Sequence, residues 1–267
     1  MLEAHDISFQ IGKKALISEV SISFAPGKLH LIIGPNGAGK STLIKALAGS
    51  LRPQIGKVTY DGADIRDSRE VELARRRAVL SQAVEIAFPL TVREVVMMGR
   101  YPHFGGHPGP RDESIVDEMM EFFDVAEFSD RNYLTLSGGE RQRVNFARVL
   151  AQLWRDDGAP SDRDAANGPC RYLFLDEPLT FLDIRHQIEF MKKVRVFADS
   201  PDVVCVGVVH DLNLAARFAD EILMLDKGKV VSTGAPAEVL TTESLREVFG
   251  IEPTFVTTSH AGVHLLF

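Results

Sequence analysis

The 267-residue chain is 45% hydrophobic and 25% charged, which suits one large α/β domain or two small ones and excludes a disordered chain. Its formal net charge of -7 argues against nucleic acid as a partner, because neutralising phosphates requires a concentrated basic face. Apolar runs stay far below the roughly 18 residues of a spanning helix, so we expect a separate protein to supply any membrane part.

The first sixty residues alternate apolar and polar side chains in the manner of β-strands. The apolar positions are Ile7, Phe9, Ile11, Ile22, Phe24 and the run 29–33. We expect a helix over 40–48 that ends at Gly49, and then a strand and turn over 56–62. This part of the chain is predicted to be rich in strands.

A second helix start is predicted by Asp67 with Glu70 three residues later, and it leads to a short strand over 78–82. From about residue 85 to residue 154 helices dominate. The first helix starts at a capping box of Thr91 and Glu94, and two further helices are expected over 111–123 and 138–154.

Strands and helices alternate in the last part of the chain. The expected strands cover 171–175, 203–209 and 221–225, and the expected helices cover 184–197 and 212–218. The stretch 155–169 is rich in Asp, Gly, Pro and Ala and is predicted to be an exposed loop. Cys205 lies in an apolar run and is expected to be buried, and its separation from Cys170 suggests neither a disulfide nor a metal site.

The most informative motif follows the apolar run 29–33. It is the nucleotide loop Gly34-Pro35-Asn36-Gly37-Ala38-Gly39-Lys40-Ser41-Thr42, which matches the pattern G-x-x-x-x-G-K-S. The glycines let the backbone curl around phosphates, so that N–H groups and a helix N-terminus face the anion. Lys40 is expected to reach the β- and γ-phosphates and Ser41 to bind Mg²⁺. The sequence therefore predicts binding of a nucleoside triphosphate.

A second motif places two carboxylates, Asp176 and Glu177, at the end of the apolar run 172–175. Open α/β sheets keep their ligand crevice at such strand ends. Asp176 is suited to hold Mg²⁺, and Glu177 is suited to polarise a water that attacks the γ-phosphate.

A third motif, Leu136-Ser137-Gly138-Gly139-Glu140, precedes the predicted helix over 138–154. A serine N-cap followed by two glycines leaves the helix N-terminus bare of large side chains, so that it can approach a phosphate. Alone, such a string more often forms a cap and a hinge.

Taken together in this order, the motifs resemble the ATP-binding cassette (ABC) ATPases over nearly all of the chain. The matching positions are the nucleotide loop, Gln82, the run 136–140, the run 175–178, Leu182-Asp183 and His210. The resemblance implies an α/β fold: a P-loop NTPase (RecA-like) core with an antiparallel β-subdomain and an inserted α-helical subdomain. We expect a single domain with its core in 1–84 and 155–267 and its helical subdomain in 85–154.

The resemblance also implies a head-to-tail homodimer with ATP and Mg²⁺ at its interface. Ser137, Gly138 and Gly139 of one subunit would close on ATP held by the other. Gln82 would sense Mg²⁺ and the attacking water, Asp183 would lie across the interface, and His210 would contact the γ-phosphate. Taken singly, Gln82 and His210 also fit ordinary polar residues at strand ends, and only their order and spacing favour the functional interpretation.

A cassette with a single nucleotide loop and no membrane span resembles the separate ATPase subunit of an importer. Such a subunit works at the cytoplasmic face of the inner membrane with two membrane-spanning permease subunits, and indirectly with a periplasmic substrate-binding protein. Residues 181–187 resemble the iron-siderophore, heme and vitamin B12 group, and residues 99–103 and 148–154 resemble its heme branch. The favoured substrate is hemin.

Two alternatives stay open: the ATPase of a ferric-siderophore or cobalamin importer, and a soluble cassette ATPase of iron–sulfur assembly.

One position departs from the family, because Ile11 stands where an aromatic residue usually stacks on adenine. Phe9, two residues earlier on the same strand face, could replace it, although a place in the core is expected more often.

Overall fold

The computed structural model describes residues 1–81, 86–155, 168–180, 182–258 and 262–266. Gln82, Phe181 and most of the expected loop 155–169 lie outside the described residues. The strands are β1 Leu2–Ile11, β2 Lys14–Phe24, β3 Lys28–Ile33, β4 Ile55–Tyr60, β5 Ala63–Asp64, β6 Arg77–Leu80, β7 Arg171–Asp176, β8 Val203–Val208, β9 Glu221–Asp226, β10 Lys229–Gly234, β11 Thr254–Thr258 and β12 Gly262–Leu266. The α-helices are α1 Lys40–Leu47, α2 Glu70–Arg76, α3 Val92–Met97, α4 Pro110–Phe122, α5 Gly138–Leu153, α6 Ile184–Ala198, α7 Leu212–Phe218, α8 Pro236–Val239 and α9 Thr242–Phe249.

A six-stranded sheet forms the centre of the molecule, in the order β10-β9-β3-β8-β7-β6. Strand β3 pairs in parallel with β8 and β9, and β7 pairs in parallel with β6 and β8, whereas the edge strand β10 is antiparallel to β9. Every residue of β7 and β8 is buried. Continuous apolar runs are typical of parallel strands that are covered on both faces.

A second, antiparallel sheet has the order β2-β1-β4-β5. Its apolar face and helix α1 share one core with one face of the six-stranded sheet. Representative members are Leu2, Ile7, Phe24, Leu43, Ile44, Tyr172 and Phe174. This core holds α1, and with it the nucleotide loop, against the central strands.

Helices α3, α4 and α5 contact one another, and α5 also contacts β6 and β7. A second core joins these helices to the opposite face of the six-stranded sheet. Representative members are Val92, Val96, Ile115, Val144, Phe146, Leu173 and Leu175. The helical region is therefore packed directly on the strand that carries Asp176.

Most predicted elements are confirmed, with ends that differ by one or a few residues. The predicted helix start at Asp67 is wrong. Asp67 closes a short 3-10 helix, Ile65–Asp67, in which the Asp64 side chain accepts a hydrogen bond from the Arg66 N–H. Helix α2 begins after Arg69, whose side chain makes no capping hydrogen bond within the described ranges. The capping side chain in this region is that of Asp64, and it serves the shorter turn that precedes the helix.

Cys205 is fully buried in β8, as its apolar surroundings predicted. Phe9 is partly buried and packs on the core of the antiparallel sheet, while Ile11 is 64% exposed. Across the described parts of the chain, helices that combine the length and the apolar character needed to cross a membrane are not found.

Candidate functional site

The three predicted motif segments that follow β3, β7 and β8 meet at one edge of the central sheet. These strands are neighbours in the order β3-β8-β7 and run in parallel, so their carboxyl ends lie side by side. The nucleotide loop follows β3, Glu177 follows β7, and His210 follows β8 after one residue. Ligands of open α/β sheets bind at this kind of edge.

The nucleotide loop takes a path that requires glycine at two of its positions. A Cβ atom at Gly34 would lie 2.1 Å from the carbonyl oxygen of Leu225, and one at Gly39 would lie 2.3 Å from that of Leu16. Gly39 also has a φ of 102°, a conformation that L side chains rarely adopt. The loop is thus held between the start of β2 and the end of β9, directly before α1.

Lys40, the first residue of α1, is folded back into the loop. Its Nζ donates to the carbonyl oxygens of Gly34, at 2.8 Å, and Pro35, at 2.9 Å. Burial lowers the pKa of Lys40, while the carboxylates of Glu177 and Asp176 act in the opposite direction. The ammonium group is therefore held inside the loop and is influenced by the charges of the two carboxylates.

Asp176, the last residue of β7, is only 8% exposed. Burial raises the pKa of Asp176, and the hydrogen bond with the Ser41 side chain opposes that rise. Within the described residues, Oδ1 of Asp176 is buried and has no hydrogen-bond partner. An unsatisfied carboxylate oxygen beside a hydroxyl is the donor set that a hard divalent cation requires, so these residues fit Mg²⁺.

Glu177 has a φ of 53°, which is uncommon for a residue other than glycine. Its Oε1 lies 2.9 Å from Nε2 of His210, and its carbonyl oxygen accepts a 3.0 Å hydrogen bond from the Thr180 hydroxyl. Because a carboxylate can only accept, the imidazole Nε2–H is the donor of this contact. Backbone strain of this kind is found at functional sites, where the surroundings hold it in place.

A cavity of about 480 Å³ opens beside this pair. Its polar lining includes Asn36 from the nucleotide loop, Glu177, Thr180, His210 and Asp211. The cavity joins the nucleotide loop to Glu177 and His210, so a group held by the loop can be reached by both side chains.

Ser137 is the N-cap of α5, and its capping box is complete. The Ser137 N–H donates to the Glu140 carboxylate at 2.7 Å, and the Glu140 N–H donates to the Ser137 hydroxyl at 3.3 Å. Ser137 and Gly138 are exposed, and Gly139 is half-buried. They do not belong to the lining of the 480 Å³ cavity. The helix tip therefore lies outside this chain's own Glu177 and His210 cavity.

Asp183 is the N-cap of α6 and is exposed. Its carboxylate accepts from the His186 N–H at 2.9 Å and also contacts Nδ1 of His186 at 2.8 Å. The His186 backbone hydrogen bond, followed by the side-chain one, lowers the pKa of Asp183.

The structure thus brings together the nucleotide loop, Lys40, Ser41, Asp176, Glu177 and His210. It leaves the tip 137–139 and Asp183 at the surface, and Gln82 lies outside the described residues. Sequence reasoning missed Gln142, a buried amide of α5 that reaches the turn after Glu177. Its signal was a polar residue among the apolar positions of a helix.

The model of the ABC transporter family matches residues 17–153, just over half of the chain. The Hemin import ATP-binding protein HmuV of Rhizobium meliloti (strain 1021) is 46% identical over 251 residues, which is 94% of this chain and 91% of that protein. The chain belongs to the ABC transporter family. As a member of it, the protein binds ATP and couples ATP hydrolysis to transport.

The HmuV protein of Pseudomonas fluorescens (strain Pf0-1) is 42% identical over 266 residues and covers 100% of this chain and 99% of its own. Among solved structures, an inward-facing ABC transporter superposes with a TM-score of 0.79 at 22% identity, over 99% of this chain and 96% of that chain. The dimeric bacterial ABC transporter cassette MJ0796 gives a TM-score of 0.72 at 24% identity, over 88% of this chain and 99% of that chain. These structures establish the ABC cassette fold, and the predicted fold class is confirmed.

Proposed function

We propose that this chain is the ATP-hydrolysing subunit of an importer that takes up hemin across the inner membrane. The fold and family support an ATPase of a transport system, and the names of the relatives supply the substrate. One observation carries the catalytic part: the nucleotide loop, Asp176, Glu177 and His210 meet at a single sheet edge, while the glycine-rich tip of α5 is exposed elsewhere.

In this proposal the loop 34–42 wraps the triphosphate, and Lys40 exchanges its two carbonyl partners for oxygens of the β- and γ-phosphates. Glu177 accepts the proton of the attacking water, and the 2.9 Å contact with His210 holds the carboxylate toward the γ-phosphate. The oxygens of Ser41 and Asp176, with Gln82, are the proposed ligands of Mg²⁺. When bound there, the ion would supply positive charge against the charge of the triphosphate.

The second half of the ATP site is proposed to come from another copy of the chain. The N–H groups at Gly138 and Gly139 and the positive end of the α5 dipole form an anion-binding tip. Because Ser137 and Gly138 are exposed, a second subunit can present its nucleotide to them. Asp183 would then lie across the interface between the two copies.

The subunits are proposed to act from the cytoplasmic face of the inner membrane, on two membrane-spanning permease subunits that receive hemin from a periplasmic binding protein. The helical region 85–154 is the proposed link to the permease, and hemin would contact the permease rather than this chain. ATP binding closes the dimer and hydrolysis reopens it.

The test is a ligand-stimulated ATPase assay on the chain co-purified with its membrane partners and reconstituted into liposomes. We expect hemin, delivered with the binding protein, to raise the hydrolysis rate several-fold above that with a ferric siderophore or with cobalamin. If only a ferric siderophore or only cobalamin stimulated hydrolysis, that ligand and not hemin would be the substrate. A chain that stays in the soluble fraction and co-purifies with no membrane protein would overturn the transport assignment.

A further inference from the structure

Two buried or half-buried glutamine side chains hold the turn that follows Glu177. Gln142 of α5 is 6% exposed, and its Nε2 donates to the carbonyl oxygen of Pro178 at 2.7 Å. Gln187 of α6 donates to the carbonyl oxygens of Leu179, at 3.3 Å, and Leu182, at 3.0 Å. Because the partners are carbonyl oxygens, the amide nitrogens must face them. The turn is therefore held from two different helices.

Glu177, directly before this turn, has a positive φ and makes the contact with His210, and Asp183 caps α6 farther along the chain. A strained residue keeps its conformation only when its surroundings over-determine it. Gln142 bonds to the carbonyl oxygen of Pro178, the residue directly after Glu177. The hydrogen bond therefore restrains the backbone that sets the direction of the Glu177 carboxylate.

Gln142 also belongs to the helix that begins with the exposed tip 137–139. It lies five positions after Ser137, about 7.5 Å along a rigid helix. The first turns of α5 thus carry both the anion-binding tip, at 137–139, and the residue that bonds to the turn after Glu177, Gln142. Gln142 itself does not line the cavity of Glu177 and His210.

We propose that Gln142 is a positioning residue for ATP hydrolysis: its amide anchors the Pro178 turn to α5, and thereby sets where Glu177 points. This inference rests on the proposed role of Glu177 in hydrolysis. It goes beyond that role because it assigns a function to a side chain of α5 that is not part of the lining of the Glu177 and His210 cavity. It also means that each subunit supports its own Glu177 through the helix that it offers to its partner.

The first test is Gln142→Met, which keeps the length and the packing of the side chain but removes the donor. The kcat for ATP hydrolysis should fall at least tenfold, with the KM for ATP within about twofold, because the Lys40 loop is untouched. The matched control is Gln152→Met on the same helix. Gln152 donates to the carbonyl oxygens of Ala74 and Arg77, away from the Glu177 turn. The control should leave kcat within about twofold, even if the melting temperature falls.

The second test separates positioning from general stability. In a Glu177→Gln background, measured under single-turnover conditions, Gln142→Met should cost less than about twofold, since the group that it positions has been removed. Should Gln142→Met fold poorly, Gln142→Glu is the second variant. It keeps the shape of the side chain but places an acceptor oxygen against the Pro178 carbonyl oxygen in place of the N–H donor, so kcat should fall at least tenfold here too.

A kcat within twofold of the unmodified protein in a folded Gln142 variant would overturn the inference. A full, additive loss in the Glu177→Gln background would overturn it as well, since Gln142 would then act by another route. Failure of the proposed function looks different: Glu177→Gln itself would leave kcat unchanged.

Discussion

The two parts of the proposed ATP site differ in how completely one chain builds them. At the sheet edge, Lys40 is folded into its own loop and Glu177 is held against His210. Oδ1 of Asp176 is buried and has no hydrogen-bond partner in the part of the chain that the structure describes. At the tip of α5, Ser137 is exposed and its hydrogen bonds are satisfied within its own capping box. The first region is under strain and incomplete, whereas the second is relaxed and accessible.

The two regions therefore need different things in order to function. The sheet edge needs a ligand to satisfy groups that the fold has buried. The helix tip is stable as it stands and gains a function only when an anion is brought to it. Variants at the tip should therefore spare nucleotide binding by the single chain, and variants at the sheet edge should not.

The largest expected effect is that of Gly138→Asp on hydrolysis. An aspartate in the first turn favours the helix itself, so the fold should be retained. Its charge would face the phosphates of the neighbouring subunit's ATP, and like charges in a closed interface cost several kcal/mol. We expect kcat/KM to fall about a thousandfold, or about 4 kcal/mol, in a steady-state ATPase assay.

The control for this variant is Gly138→Ala, which adds volume without charge and should lose far less activity. ATP binding by the single chain, measured by titration at low protein concentration, should stay within about twofold in both variants. Wild-type hydrolysis by Gly138→Asp would show that the tip does not meet a phosphate.

Lys40→Ala should act at the other region and on binding. A hydrogen bond to a charged group contributes about 1.5–3 kcal/mol, so the Kd for ATP should rise about 10- to 150-fold. Isothermal titration calorimetry measures the change directly. Lys192→Ala on α6 removes an exposed lysine and is the matched control. Unchanged affinity in Lys40→Ala would contradict the role given to the loop.

A smaller, pH-dependent effect is expected in the first half of β3, before the nucleotide loop. His30 is 2% exposed, its Nε2 bonds to the carbonyl oxygen of Ala25 at 2.9 Å, and its Nδ1 lies 3.3 Å from the Glu221 carboxylate. Burial lowers the pKa of its imidazole and outweighs the Ala25 hydrogen bond and the Glu221 charge, which act in the opposite direction. The folded state therefore binds fewer protons than the unfolded state, so the free energy of unfolding is retained above the usual histidine pKa of about 6.5 and falls as the pH drops through it.

Urea unfolding at a series of pH values between about 7.5 and 5.5, without nucleotide, checks this prediction. The unmodified protein should lose more stability over this range than His30→Gln, which can still donate to Ala25 but does not titrate. Identical pH dependence in the two proteins would show that His30 is not held neutral by burial. The effect belongs to the fold and not to the nucleotide edge.

Much of the sheet edge could be predicted because its determinants are local. The spacing of Gly34, Gly39 and Lys40 encodes a loop whose shape depends on neighbours in sequence. The position of Asp176 at a strand end followed from an apolar run. The contact between Glu177 and His210 depends on the strand order β3-β8-β7, which no local pattern encodes.

Other features were predicted wrongly or were not predicted, and each has a physical reason. Asp67 is a polar start signal, but it belongs to a 3-10 turn stabilised by Asp64. Strand β10 alternates between exposed and half-buried residues at the edge of the sheet, so its pattern is weak. Gln142 could be recognised as a polar residue of a buried helix face, but its partner, the Pro178 carbonyl, is a backbone group that leaves no mark in the sequence.

The most direct measurement is the mass of the Glu177→Gln variant in solution with saturating Mg-ATP, by size-exclusion chromatography with light scattering. If two copies close on ATP and only hydrolysis reopens them, this variant should run as a dimer with nucleotide and as a monomer without it. Adding Gly138→Asp to the same chain should return it to a monomer. A Glu177→Gln variant that remains monomeric at saturating Mg-ATP would contradict the account.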